Sequence, residues 1–261
     1  MNYLSVFVVD TKHDISELFR QLTDHIKDTK INAECILDDY ITISAKNENE
    51  FLLKDTLAKV ASDFILDSIE EEKIRKIISS YRFPKNEASQ IIKEIKEDNG
   101  SKYKRGQILN NSLQKHLNSS SRLNVDGMVD FRLNEYKSEL MDDVENHIDE
   151  FMASKAYDEF LDLLKYFVSL QDSKLEIVHV TGNEIDGYVL MDKFLKPIDE
   201  HMADDFMAEM NVAGLKHDDI LISRLISLSP HKIILHGLNE EKPIITTLKK
   251  IFNDKLQCVV S

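Results

Sequence analysis

Between Leu133 and Phe151 the apolar residues Leu133, Tyr136, Leu140, Val144, Ile148 and Phe151 recur at steps of three or four. At about 100° per residue they stay inside a stripe roughly 120° wide, which commits the stretch, read as beginning at Phe131, to an amphipathic helix with one face in a core. Glu139, Asp142, Asp143, Glu145, Asp149 and Glu150 are assigned to the opposite side. Carboxylates for acid/base work would have to converge in a cleft, so these are expected to be solvated. The next segment, YDEFLDLLKYFVSL, carries Phe160, Leu161, Leu163, Leu164, Phe167 and Val168 and leaves only a narrow polar face. Such a helix is expected to be packed from several directions, at the centre of the fold.

The rest of the chain mixes both periods. LSVFVVD reads as a strand, Asp14 to Lys27 as a helix, and ECIL and YITIS as a hairpin turning at Asp38-Asp39, which makes an N-terminal β-α-β-β unit. Leu53, Leu57, Val60, Phe64, Ile74, Ile77 and Ile78 predict one long helix or a broken pair, ended by Pro84. Helices are expected around Ala88 to Glu97 and Gln107 to Leu117, with DNGSKYKRG and NSSSRLN as flexible joints. A boundary between Asn99 and Asn124 follows, dividing the chain into 1–120 and 121–261.

Toward the C-terminus LEIVHV and YVLMD predict a hairpin around TGNEIDG. A helical region is expected from Pro197 to Asn211, then a helix ILISRLISL capped by Asp218-Asp219. HKIILHG, PIITTLKKIFND and LQCVV read as strand, helix and strand, a β-α-β crossover that places its strands parallel in one sheet. The fold class is α+β: the N-terminal unit, long helices in the middle, and a mixed α/β C-terminal unit.

Composition narrows the function. A net charge of -14 repels polyanions, which disfavours nucleic acid and anionic membranes as partners. Residues 82–125 run against this trend, with about 9 basic and 4 acidic residues that include Lys102, Lys104 and Arg105 around Tyr103. That cluster is read as a solvated linker, with docking to an acidic partner or to the chain's own acidic surface as the alternative. Cys35 and Cys258 form no CxxC pair, so neither a disulfide framework nor a cysteine zinc site is suggested, and both are read as buried, inert thiols. NYLSVFVVD lacks the flanks of a signal peptide, and no apolar run reaches the roughly 18 to 20 residues that span a bilayer. A cytoplasmic location without membrane attachment is expected.

SPHKIILHG holds His231 and His236. On a strand they stand roughly 16 Å apart on opposite faces, whereas two nitrogens on one zinc lie within about 4 Å of each other. They cannot share a metal, and only His179, on another predicted strand, can meet one of them across a sheet. Phosphate-binding glycine loops, GxSxG, HExxH and an EF-hand loop are absent, and the 7 glycines are scattered. No catalytic residue, cofactor or metal ligand is assigned.

GMVDFRLNEY, then IDEF, AYDEFLDLLKYFVSLQ, IVHV, Gly187-Tyr188 with Val189-Leu190, and LISLSPHKIILHG resemble the YtxC family of sporulation proteins from spore-forming Gram-positive bacteria. The resemblance covers about Val125 to Val260 well and the N-terminal part loosely. It implies a cytoplasmic protein linked to endospore formation, and it carries no enzymatic activity across. Of the residues in these runs, Phe131, Leu133, Tyr136, Phe160, Leu164 and Phe167 read as packing, while Arg132, Gln171, His179 and His236 are the candidates for specific contacts. Related chains have more cysteine near the C-terminus than Cys258 alone, so no metal or redox role is transferred from there. The expectation is a binding or scaffolding protein with a protein partner; the alternative is an enzyme with a cleft in the C-terminal half that uses His179 or His236 as general base.

Overall fold

The computed structural model describes residues 4–27, 29–36, 39–183, 185–198, 216–238 and 241–259. By contacts the chain divides into two compact units, Met1–Met152 and Ala153–Ser261. The sequence points instead to a boundary near residue 120, and the reason for the difference is local. DNGSKYKRG is no joint: Asp98 accepts hydrogen bonds from the backbone N–H groups of Gly100 and Ser101 and so starts a helix there.

The first unit is built on a four-stranded sheet. Strand β1 (Leu4–Asp10) is followed by helix α1 (Ile15–Ile26), whose first turn is capped by Asp14 and whose Ile15, Leu18, Leu22 and Ile26 are buried. Strands β2 (Ile31–Ile36) and β3 (Tyr40–Lys46) form the expected hairpin, closing at Ile36↔Tyr40; Asp39 lies in its turn and Asp38 outside the described residues. Helix α2 (Glu50–Phe64) passes through a π-helical stretch, Ile65–Ile69, into α3 (Glu70–Ser79), so the long apolar run is one helix with an inserted bulge. Helices α4 (Lys85–Glu97) and α5 (Asn99–Leu117) lead to β4 (Arg122–Asn124), the short helix α6 (Val125–Phe131) and the start of α7 (Asn134–Leu170).

The sheet order is β2-β3-β1-β4, with β1 antiparallel to β3 and parallel to β4. Its core joins Phe7, Val9, Ile41 and Ile43 to the buried faces of the helices, among them Leu57, Phe64, Leu113 and Leu140. A Cβ on Gly106 of α5 would stand 3.3 Å from Leu66, so the small residue sets how closely α5 approaches the bulge.

The second unit carries the C-terminal half of α7 and a mixed sheet of order β6-β5-β7-β8. Strands β5 (Leu175–Asn183) and β6 (Gly187–Met191) form the expected hairpin, with pairing extended to Asn183↔Gly187. Gly182 has φ +123, and a Cβ there would fall 2.2 Å from the Gly187 carbonyl, so only glycine fits this turn. Helix α8 (His217–Leu228) begins one residue before Asp218 and Asp219; both sit in its first turn, and Asp219 accepts from the Lys216 backbone N–H. Strand β7 (Pro230–His236), helix α9 (Pro243–Phe252) and strand β8 (Leu256–Val259) make the crossover, with β7 and β8 parallel as expected. The helix expected from Pro197 to Asn211 falls almost wholly outside the described residues.

The segment YDEFLDLLKYFVSL departs most from expectation. It is helical, but only Leu161 and Val168 are buried, with Leu164 packed beside them; Phe160 and Phe167 are not core. Phe131 likewise is exposed at the end of α6 rather than on the stripe of α7.

Candidate functional site

The basic run Lys102–Arg105 is consumed inside the first unit. Lys102 pairs with Asp67 at 2.9 Å and Lys104 with Glu139 at 2.7 Å. Arg105 is fully buried. Its Nε and one terminal nitrogen donate to the two oxygens of Glu70, at 3.0 and 2.8 Å, and the other terminal nitrogen donates to Asp143. Tyr136 adds a fourth bond, its hydroxyl donating to Glu70 Oε2 at 3.0 Å. Burial opposes the charge on Arg105, but hydrogen bonding to Glu70 and the fields of Glu70 and Asp143 outweigh it and raise its pKa. Burial, reinforced by the charge of Glu70, pushes the Tyr136 phenol well above its ordinary range, so it acts here as a donor.

The solvated reading of the acidic face therefore fails for Asp143, which is buried among these groups. Asp143 follows Tyr136 by seven positions, only about 20° round the helix from it, and so belongs to the stripe. Asp98, Asp143 and His147 also bring one ligand atom each within 4.8 Å of one another. All three already have a partner: Asp98 caps α5, Asp143 accepts from Arg105, and His147 donates through Nδ1 to the Asp143 carbonyl, which leaves only its Nε2 open. The guanidinium on Asp143 opposes a cation at this position.

In the second unit His179 does meet His236 across neighbouring parallel strands. Nδ1 of His179 and Nε2 of His236 are 2.8 Å apart, with ring centroids at 5.1 Å, while His231 is exposed elsewhere on β7. One nitrogen donates and the other accepts, so the contact requires at least one neutral ring. Burial, and then the charge of His236, lower the pKa of His179; Asp192 pulls weakly the other way. The unfolded chain thus takes up this proton more readily than the folded one. Stability from the pair is present above the ordinary imidazole value of 6.5 and is lost as the pH falls through it toward the lower folded value. Thermal melts between pH 7.5 and 5 should show the second unit softening on acidification, and His179→Asn should flatten that slope; an unchanged slope would remove the pair as its source.

The remaining candidates are scattered. Arg132 is exposed and touches His116. Gln171 is half-buried, with Oε1 shielded and unpartnered among the described residues. Cys35 and Cys258 form no disulfide and are half-buried rather than enclosed.

What the sequence did not disclose is that an apolar face on the second half of α7 is exposed. Phe160, Leu163, Phe167 and Leu170, spaced three, four and three, are 54%, 66%, 45% and 66% exposed, and Tyr166 beside them is 63% exposed. They centre roughly 110° round the helix from Leu161, Leu164 and Val168, so the helix has two apolar faces, of which one is in a core among the described residues.

The YtxC-like family model matches residues 55–257, from within α2 to β8. The chain belongs to the YtxC-like family. The YtxC-like region contains the Arg105 cluster, the histidine pair and the apolar face of α7, whereas β1, α1, β2 and β3 precede it. The chain is also similar to the uncharacterized protein YtxC of Bacillus subtilis (strain 168), 25% identical over 135 residues that make up 49% of this chain and 44% of that protein. The match thus spans less than half of the relative's length. No solved structure matches. Among the described residues, no helix is long and apolar enough to cross a membrane.

Proposed function

We propose that this YtxC-like chain is a cytoplasmic, non-catalytic binding protein of endospore formation that seats an amphipathic partner helix, basic along its flank, on the exposed apolar face of α7. The observation that carries this reading is the set Phe160, Leu163, Tyr166, Phe167 and Leu170, all on one side of one helix and all turned to solvent. Side chains of this size present on the order of 500 Å² of apolar surface, at the upper end of what a monomer leaves uncovered. Their three-four spacing suits the apolar stripe of another helix. Glu159 and Asp162 border the face, and the chain as a whole carries -14, so a second copy is repelled where a basic partner is drawn in.

The test places a photoreactive residue at Leu163 or Leu170, with Lys165 on the polar side as control, in sporulating cells. One and the same partner should crosslink from the two apolar positions and not from Lys165, through a helical segment with Lys or Arg beside its apolar stripe. Leu163→Glu combined with Phe167→Glu should abolish that adduct and lower spore yield while leaving the melting temperature of the isolated chain within a few degrees. Adducts with a second copy, or none above the control, defeat the proposal.

Catalysis by the histidine pair is the second reading, favoured by the 2.8 Å contact alone. A general base needs an imidazole nitrogen available to a substrate, and the contact occupies one nitrogen on each ring. A hydrolytic or transfer activity abolished by His236→Asn, with the fold intact, would establish it.

A further inference from the structure

The two parallel strands of the first unit end side by side, at Asp10 of β1 and Asn124 of β4, and a cavity of about 780 Å³ opens beyond them. Crevices outside the carboxyl ends of neighbouring parallel strands are where open sheets hold ligands, and this volume lies in the range of small-molecule sites, about 300–1,000 Å³. Two arginines line it, Arg122 from β4 and Arg132 from the turn after α6.

Neither guanidinium has a carboxylate partner among the described residues, although the chain holds 47 acidic residues against 33 basic ones and Lys54, Lys73, Arg75, Lys102, Lys104 and Arg105 are all paired. Arg132 is held by the ring of His116, which lines the same cavity. A guanidinium can only donate, so His116 Nδ1 accepts from Arg132 at 3.3 Å, and Nε2 therefore carries the hydrogen that His116 donates to the Arg122 carbonyl at 2.8 Å. One imidazole thus fixes both arginine-bearing segments, and the other nitrogens of Arg132 remain for a ligand. Asp10 also lines the cavity; among the described residues it accepts from the Asn124 amide through one oxygen, which leaves the second as an acceptor. Met128 and the exposed Phe131 supply an apolar wall.

We infer that this cavity binds a phosphorylated small molecule, with the phosphate on Arg122 and Arg132 and a hydroxyl of the same molecule donating to Asp10. A phosphate monoester carries a charge of about -1.5 to -2 at neutral pH and takes two guanidiniums, where a lone carboxylate needs one. The carboxylate of Asp10 repels a bare anion, so it selects ligands that bring a donor with their phosphate. This site belongs to the first unit and stands independently of the helix-docking face on the second.

Ribose 5-phosphate is a probe that carries both groups, and inorganic phosphate and ribose are its halves. Calorimetry or NMR titration of the full chain, at matched ionic strength, should give saturable binding of ribose 5-phosphate, at least about 10-fold weaker binding of inorganic phosphate, and none of ribose. Arg132→Ala and, separately, Arg122→Ala should each weaken ribose 5-phosphate by about 10-fold or more. Asp10→Asn should weaken ribose 5-phosphate while leaving inorganic phosphate unchanged or tighter, a crossing that general damage to the fold does not produce. No saturation by millimolar ribose 5-phosphate, equal binding of inorganic phosphate, or indifference to both arginine substitutions would overturn the assignment.

Discussion

Arg105→Met is expected to remove about 3–5 kcal/mol from the first unit, because it leaves the Glu70 and Asp143 carboxylates buried with no counter-charge. The loss comes from those stranded charges rather than from the value of the ion pair itself. Replacing the whole cluster with apolar groups, Arg105→Met with Glu70→Leu, Asp143→Leu and Tyr136→Phe, should therefore recover most of it. Urea melts followed by far-UV circular dichroism read both variants, which suits a chain with no tryptophan. If the fourfold variant is as unstable as the single one, the cluster contributes through packing or geometry, and the charge argument is wrong.

In the second unit the largest effect is expected from Ile233→Ala. Ile233 is fully buried on β7, which pairs with β5 on one side and β8 on the other. Its neighbours cannot close over the space, so the cost should be about 2–5 kcal/mol, the lost transfer energy plus a cavity. Hydrogen exchange should rise first in the amides of β5, β7 and β8. An effect below about 1 kcal/mol would mean that the sheet repacks, contrary to its close-packed interior.

Where backbone preference and burial agree, the sequence is a good guide. LSVFVVD, YITIS and HKIILHG are β-branched runs bounded by turn residues, and all three are strands; Asp14 announces α1 as its cap. The misreadings arise where a polar residue occupies an apolar position. Arg105, Leu109, Leu113 and Leu117 step by four and are all buried, so the period of α5 was visible once Arg105 was allowed into it. The two glycines and the charges of DNGSKYKRG hid it, although Asp98 is a regular cap and Gly106 is small because Leu66 lies against it. Asp143 falls on the stripe of α7 for the same reason: its partner comes from another helix, which spacing along one helix cannot show. The apolar second half of α7 was legible as apolar, but composition does not say whether a face is covered by the chain itself. The meeting of His179 with His236 required only that two predicted strands be neighbours; the sequence allowed His179 to meet one of the two histidines of β7 without telling which. The crevice at Asp10 and Asn124 joins strands 114 positions apart, a pairing that no local pattern reveals.

That last pairing bears on how the protein is made. Strand β1 is translated well before its β4 neighbour, which follows 114 residues later, roughly 6–23 s at ordinary elongation rates. During that interval one edge of β1, with Leu4 and Val6 exposed even in the finished fold, stands open on the ribosome as a template for stray strands. A nascent chain stalled before Arg122 is thus more open to such pairing than the finished fold, in which β4 covers the edge of β1 at Val8, Val9 and Asp10.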